Sequence, residues 1–165
     1  MPAAALPTSV DLDLHLAGAG RPAASFARLW HSLWTQPYVS AELLELCRLA
    51  LARLHQDPHE ISAHNRHVPP GSPSRERREA VLAGDAARST AFSHAERTLL
   101  AFAESYALDP RSIGDELAAQ VTTQLGEPGL VFFIEALGCL DGRMRSARCL
   151  RDLARLGVAG ESHVR

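Results

Sequence analysis

The chain has 165 residues, enough for one domain with a core that folds unaided, and nothing in it calls for a second. Hydrophobic residues make up 46% and charged residues 22%, a globular balance that excludes disorder as the default state. A formal net charge of -2 gives no electrostatic reason to expect nucleic acid or an anionic membrane as a partner, and because all 17 basic residues are arginine, lysine Schiff-base chemistry is excluded.

In chain order, residues 1–24 are rich in Ala, Pro and Gly and read as a flexible N-terminal arm that a partner subunit could order. The stretch lacks the basic start and apolar centre of a signal peptide, and no run is long and apolar enough for a membrane span. Cys47, Cys139 and Cys149 form no C-x-x-C, which with the missing leader points to a reducing, cytoplasmic location.

A helical pattern begins at Ala24, where Phe26, Leu29, Trp30, Leu33 and Trp34 build one apolar face that ends before Pro37. Ser40 is an N-cap for SAELLELCRLALARL, apolar on several sides and therefore expected to be buried. Asp57 followed by Pro58 starts a short helix expected to run to His67, before the PPGSP turn. Ser72 and Pro73 repeat that signal ahead of a helix closed by Gly84. Ser93 to Glu96 is a capping box for RTLLAFAESYAL. DPRSIGDELAAQVTTQLG follows with Gly126 as its stop, and GLVFFIEALGCLDGRMRSARCLRDLARLG supplies the last and longest helix. No stretch alternates with a period of two and no fixed repeat is present, so the reading is all-α with about seven helices.

The segment QDPHEISAHNRH, residues 56–67, carries the densest chemistry. His59 and His64 are five apart, about 140° on a helix, so a zinc-protease H-E-x-x-H is excluded. Glu60, His64 and His67 would fall within roughly 60° of one helical face. A carboxylate beside an imidazole, with burial acting in the opposite sense, is a way to place a general acid or base near neutral pH. Glu45, on an otherwise apolar helix, needs a buried partner, and the free ring nitrogen of His64 would serve. The structural alternative is that Asp57 and Glu60 form a capping box with His64 as an i+4 partner. A metal reading narrows to Glu45, Glu60 and His64, because Glu60, His64 and His67 alone would span about 10 Å along the helix. The cysteines read as small core residues, Trp30 and Trp34 as core or subunit contacts, and Arg143, Arg145, Arg148, Arg151 and Arg155 as a solvated face.

The order of L-L-E-L-x-x-L-A-x-A-x-L, E-x-x-x-H, a glycine turn and F-S-x-x-E-R-x-x-L-x-F-A-E resembles the AhpD-like superfamily of alkylhydroperoxidases and carboxymuconolactone decarboxylases, from about Phe26 to Arg155. The resemblance implies an AhpD-like helical domain over residues 25–158, followed by a tail at residues 159–165. It places Asp57 and Glu60 where the peroxidase branch has its two cysteines, His64 and His59 at the motif histidines, and Glu45 at the relay glutamate. With both thiols replaced, the dithiol peroxidase mechanism is not available, since thiolate attack and resolution both need sulfur. Leu44 stands where the family often carries an arginine, which leaves open what balances Glu45.

The expectation is therefore a cofactor-independent acid/base site of Glu45, Glu60 and His64, with Asp57, His59 and His67 around it, acting on a small organic acid, lactone or carbonyl compound. By resemblance the chain would assemble into a trimer or hexamer. The alternatives are an antioxidant protein using a non-motif cysteine such as Cys47, or a non-catalytic helical oligomer that binds a small ligand.

Overall fold

The computed structural model describes residues 6–161, with side chains to residue 156; residues 1–5 of the expected arm and 162–165 of the expected tail lie outside them. Among the described residues the protein is an all-α domain of seven helical elements, with no strand. The helices are α1 (Leu12–Leu16), α2 (Gly20–Leu33), α3 (Ala41–Leu54), α4 (Pro58–Ser62), α5 (Arg75–Ala83), α6 (His94–Leu108) and α7 (Asp115–Glu161), with a 3-10 turn at Pro110–Ser112.

Helix α3 is the axis of the fold. Every residue from Leu43 to Ala52 is buried, because α4, α5, α6 and α7 all pack against it. Ser40 caps it by accepting a hydrogen bond from Leu43 N–H. Leu44, Leu46, Leu49 and Leu51 are fully buried, each removing apolar surface worth about 1.5–3 kcal/mol from water. Glu45 and Arg48 share this helix, so neither charge can reach solvent and both must find partners inside.

Several local signals act as read from sequence. Ser93 and Glu96 make both halves of the capping box at α6. Gly84 closes α5 in the left-handed region at φ 76°. Gly126 adopts φ 68° and ψ 171° inside α7, where Pro128 follows, so the chain breaks its helix there and resumes it at once. The two terminal helices expected from sequence are thus present as the two parts of α7, on either side of Gly126.

Three boundaries differ. The cap of α5 is Ser74, which accepts from Arg77 N–H, and not Ser72. Helix α4 stops at Ser62, because Ala63 turns to an extended backbone with ψ 138°, so the helix expected to reach His67 is a single turn and a half. From Leu6 onward the N-terminal region is packed on its own chain: Ser9 and Leu12 are fully buried, α1 forms, and α2 begins at Gly20. No helix among the described residues is long and apolar enough to cross a membrane.

Candidate functional site

Glu45 and Arg48 lie one turn apart on α3, and their side chains close into a forked pair. Arg48 donates from Nη2 to Glu45 Oε1 at 2.7 Å and from Nε to Oε2 at 2.8 Å. Its remaining nitrogen, Nη1, reaches α4, donating to the Glu60 carbonyl at 3.0 Å and to the Glu60 carboxylate at 3.3 Å. Burial alone would lower the Arg48 pKa, but the Glu45 and Glu60 carboxylates outweigh it and the guanidinium is held more tightly protonated than in water.

Glu60 is fully buried, and Ser9 occupies both of its oxygens, the backbone N–H donating at 2.6 Å and the hydroxyl at 2.6 Å. Arg151, from α7, lies 3.7 Å from Glu60 and donates to Asp57, which also caps α4 through His59 and Glu60 N–H. Arg143, also from α7 and fully buried, donates to the Ser9 carbonyl at 2.8 Å and to Asp13 at 2.8 Å, with its guanidinium 4.3 Å above the Trp30 ring. The result is a buried line of alternating charge: Glu45, Arg48, Glu60, Arg151, Asp57.

The other side of Glu45 opens on a cavity of about 210 Å3. Asn65 lines it and donates to Glu45 Oε2 at 2.8 Å, while its own carbonyl oxygen accepts from His67 N–H at 3.0 Å. His64 and Arg78 line the same cavity, with Val68, Pro69 and Pro73 supplying apolar wall. Arg78 is half-buried and donates to the Ile61 carbonyl, but among the described residues no carboxylate lies within ion-pair distance of it. Burial and the nearby Arg48 charge lower its pKa, against a smaller opposing pull from Glu45. An arginine keeps its charge through such shifts, so the cavity contains an uncompensated cation.

The residues expected from sequence are therefore dispersed. Two buried carboxylates do converge, but on the guanidinium of Arg48 and not on an imidazole. Glu60 faces Ser9 and Arg48 and does not line the cavity, and because α4 ends at Ser62 there is no i,i+4 relation between Glu60 and His64. His64 is exposed, lining the cavity from a loop, and among the described residues nothing orients it by a hydrogen bond. His59 lines a separate depression with Arg148, Arg151 and Arg155. His67 stacks on Trp34 at 5.6 Å between ring centres. Asp57 caps α4, yet Glu60 does not close a capping box, since the Asp57 N–H donates to Ala52 instead.

No group of three or more His, Cys, Asp or Glu side chains among the described residues is arranged to hold a metal. Between Glu45 and Glu60 the positive charge is Arg48. The arginine run of α7 is split, Arg143 and Arg151 being buried while Arg145, Arg148 and Arg155 are exposed. Cys47 is buried, and burial, aided by the Glu104 carboxylate, pushes its thiol well above the usual range. Burial likewise raises Cys139 to about 11, whereas Cys149 is exposed. A thiolate nucleophile at Cys47 or Cys139 is disfavoured at neutral pH.

Sequence reasoning missed Ser9, Arg48, Asn65 and Arg78. Arg48 had a signal: it sits three residues after Glu45 on the same apolar helix and faces the same burial problem. It also answers the question left by Leu44, because the balancing cation comes one turn later. Ser9, Asn65 and Arg78 lie in unrelated segments with nothing in their spacing to link them. No family model, no curated protein and no solved structure matches the chain.

Proposed function

We propose that the cavity beside Glu45 binds a small organic acid, lactone or carbonyl compound and that the chain performs cofactor-independent proton transfer on it, as a relative of the AhpD-like superfamily without the dithiol. The observation that carries this reading is that Glu45, Asn65, His64 and Arg78 line one cavity of about 210 Å3. That space suits a metabolite smaller than the drug-sized ligands of larger pockets. Arg78 would donate to the oxygen on which negative charge develops, which is where a fixed cation lowers a barrier most. His64 would withdraw a proton from the substrate and return it, its exposure allowing exchange with water. Glu45 is held by Arg48 and Asn65, so its role is to fix the floor and its charge, not to accept the proton.

That no hydrogen bond orients His64 among the described residues favours a second reading, ligand binding without turnover. The two separate in one experiment, a thermal-shift screen of small hydroxy, keto and lactone acids followed by turnover assays on the hits. Binding lost in Arg78→Gln, with turnover lost and binding kept in His64→Ala, supports catalysis. Binding untouched by His64→Ala and no turnover in the native protein supports the second reading, and no hit in the whole panel removes both. A peroxidase assay with a dithiol reductant should give no turnover. The family resemblance also implies a trimer or hexamer, for which light scattering after gel filtration is the check.

A further inference from the structure

Residues 7–13 are tied to the helical body chiefly by charge-assisted hydrogen bonds. Arg151 donates to the Pro7 carbonyl, Ser9 donates twice to Glu60, Arg143 donates to the Ser9 carbonyl and to Asp13, and Arg66 donates to Asp11 at 2.8 Å. Apolar anchorage comes from Pro7 and Leu12, which are buried, and from Val10, which packs on the edge of the core, whereas Leu6 and Leu14 are 43% and 71% exposed. Thr8 Oγ1 and Arg143 Nη2 are buried with no hydrogen-bond partner among the described residues.

The connection to α2 runs through Ala17–Ala19, and α2 opens on Gly20. Gly18 and Gly20 have no neighbouring atoms where a Cβ would sit, and Gly20 adopts φ 74°, a region open to glycine at little cost. A short terminal segment held mostly by hydrogen bonds, joined by a glycine-containing link, is the kind of unit that opens locally while the rest of the fold stays closed.

We propose that residues 6–16 form a hinged ionic strap whose release alters the candidate cavity through the line Ser9, Glu60, Arg48, Glu45. With the strap docked, Ser9 satisfies both oxygens of Glu60, and Arg48 can spend its fork on Glu45. With the strap released, Glu60 loses both Ser9 donors. The cations left beside it are Arg48, whose Nη1 already lies at 3.3 Å, and Arg151, whose Nη1 lies at 3.7 Å and is freed from Pro7. The Arg48 guanidinium then shifts toward Glu60, its grip on Glu45 loosens, and the cavity floor carries more negative charge. The strap thus sets the electrostatics of a cavity that it does not line. The regulatory meaning rests on the proposed function of that cavity; the local opening and its electrostatic reach do not.

Hydrogen exchange followed by mass spectrometry, on the full chain without ligand, tests the first half. The amides of residues 8–16 should exchange at least about 10-fold faster than those of α3. Asp13→Asn, which weakens the Arg143 pair at the strap's edge and leaves Glu60 untouched, should speed them a few-fold further with α3 unchanged. The second half is read from the side-chain amide of Asn65 by NMR, because that group donates to Glu45. Ser9→Ala should move this resonance although Ser9 lies outside the cavity, and if that variant does not fold, Asp13→Asn is read in its place. Strap amides as slow as those of α3 in both native protein and Asp13→Asn, or an Asn65 resonance that stays where it was, would overturn the proposal. A failed ligand screen alongside a fast strap and a shifted Asn65 would sink the proposed function and leave the strap standing.

Discussion

Arg48 and Arg78 are both drawn out of water beside Glu45, and they end in opposite situations. Arg48 has a carboxylate on each side, with its fork filled by Glu45 and its third nitrogen on Glu60. Arg78 has a backbone carbonyl and an open cavity. A buried cation with every nitrogen engaged belongs to the architecture of the fold, and removing it strands its partners. A half-buried cation facing empty space is an incomplete arrangement that an incoming oxygen can complete. The boundary between the satisfied ion network and the open cavity runs through Glu45, whose carboxylate takes part in both.

The contrast breaks most visibly at Arg48. Arg48→Met would leave Glu45 and Glu60 buried without their cation and should cost about 3–5 kcal/mol, read as a fall in the urea midpoint. Asn65→Ala removes one donor from Glu45 at the border of the two regions and should cost about 1.5 kcal/mol in the same measurement. Arg78→Gln should change stability by less than about 1 kcal/mol, since no carboxylate depends on it, while abolishing any anion response in the thermal-shift screen. A loss at Arg78 as large as that at Arg48 would erase the distinction between them.

The smallest effect concerns pH. Burial first, then the positive surroundings of His31, Arg143 and Arg66, hold the His67 pKa below its ordinary value of 6.5. The folded state therefore binds that proton less readily than the unfolded chain, so His67 contributes a loss of stability as pH falls below about 6.5. His67→Phe keeps a ring against Trp34 and removes the titration. Its melting temperature should decline less on acidification from pH 7 to pH 5 than that of the native protein, and equal slopes would mean that His67 is not responsible.

Much of the fold was legible because its signals are local. Ser40, Ser93 with Glu96, Gly84 and Gly126 each act through backbone groups within a few residues, and all four sit where sequence reading places them. The reading of about seven helices agrees with the structure, including the break at Gly126 between the last two, and the short α1 is the one α-helix not anticipated. The site was legible only at Glu45, where a carboxylate among leucines advertises a buried partner. The choice of His64 as that partner assumed a helix through His67, and one turn of helix fewer sends the histidine to a loop. The opening residues misled for a related reason. Their Ala- and Pro-rich composition describes the chain on its own and does not reveal that Glu60 and Arg143 wait for Ser9.

By itself, then, the sequence determined an all-α domain, a central apolar helix and the need to neutralise Glu45, because periodicity, caps and the cost of burying charge are properties of short segments. Only the tertiary structure decided which groups meet that need. Arg48 answers Glu45 from the same helix, but Ser9, Asn65 and Arg78 approach Glu45 and Glu60 from three other segments, and their meeting depends on how those segments pack around α3. Electrostatic partnership falls off over a few ångströms of space irrespective of distance along the chain, and that is why it could not be read from spacing.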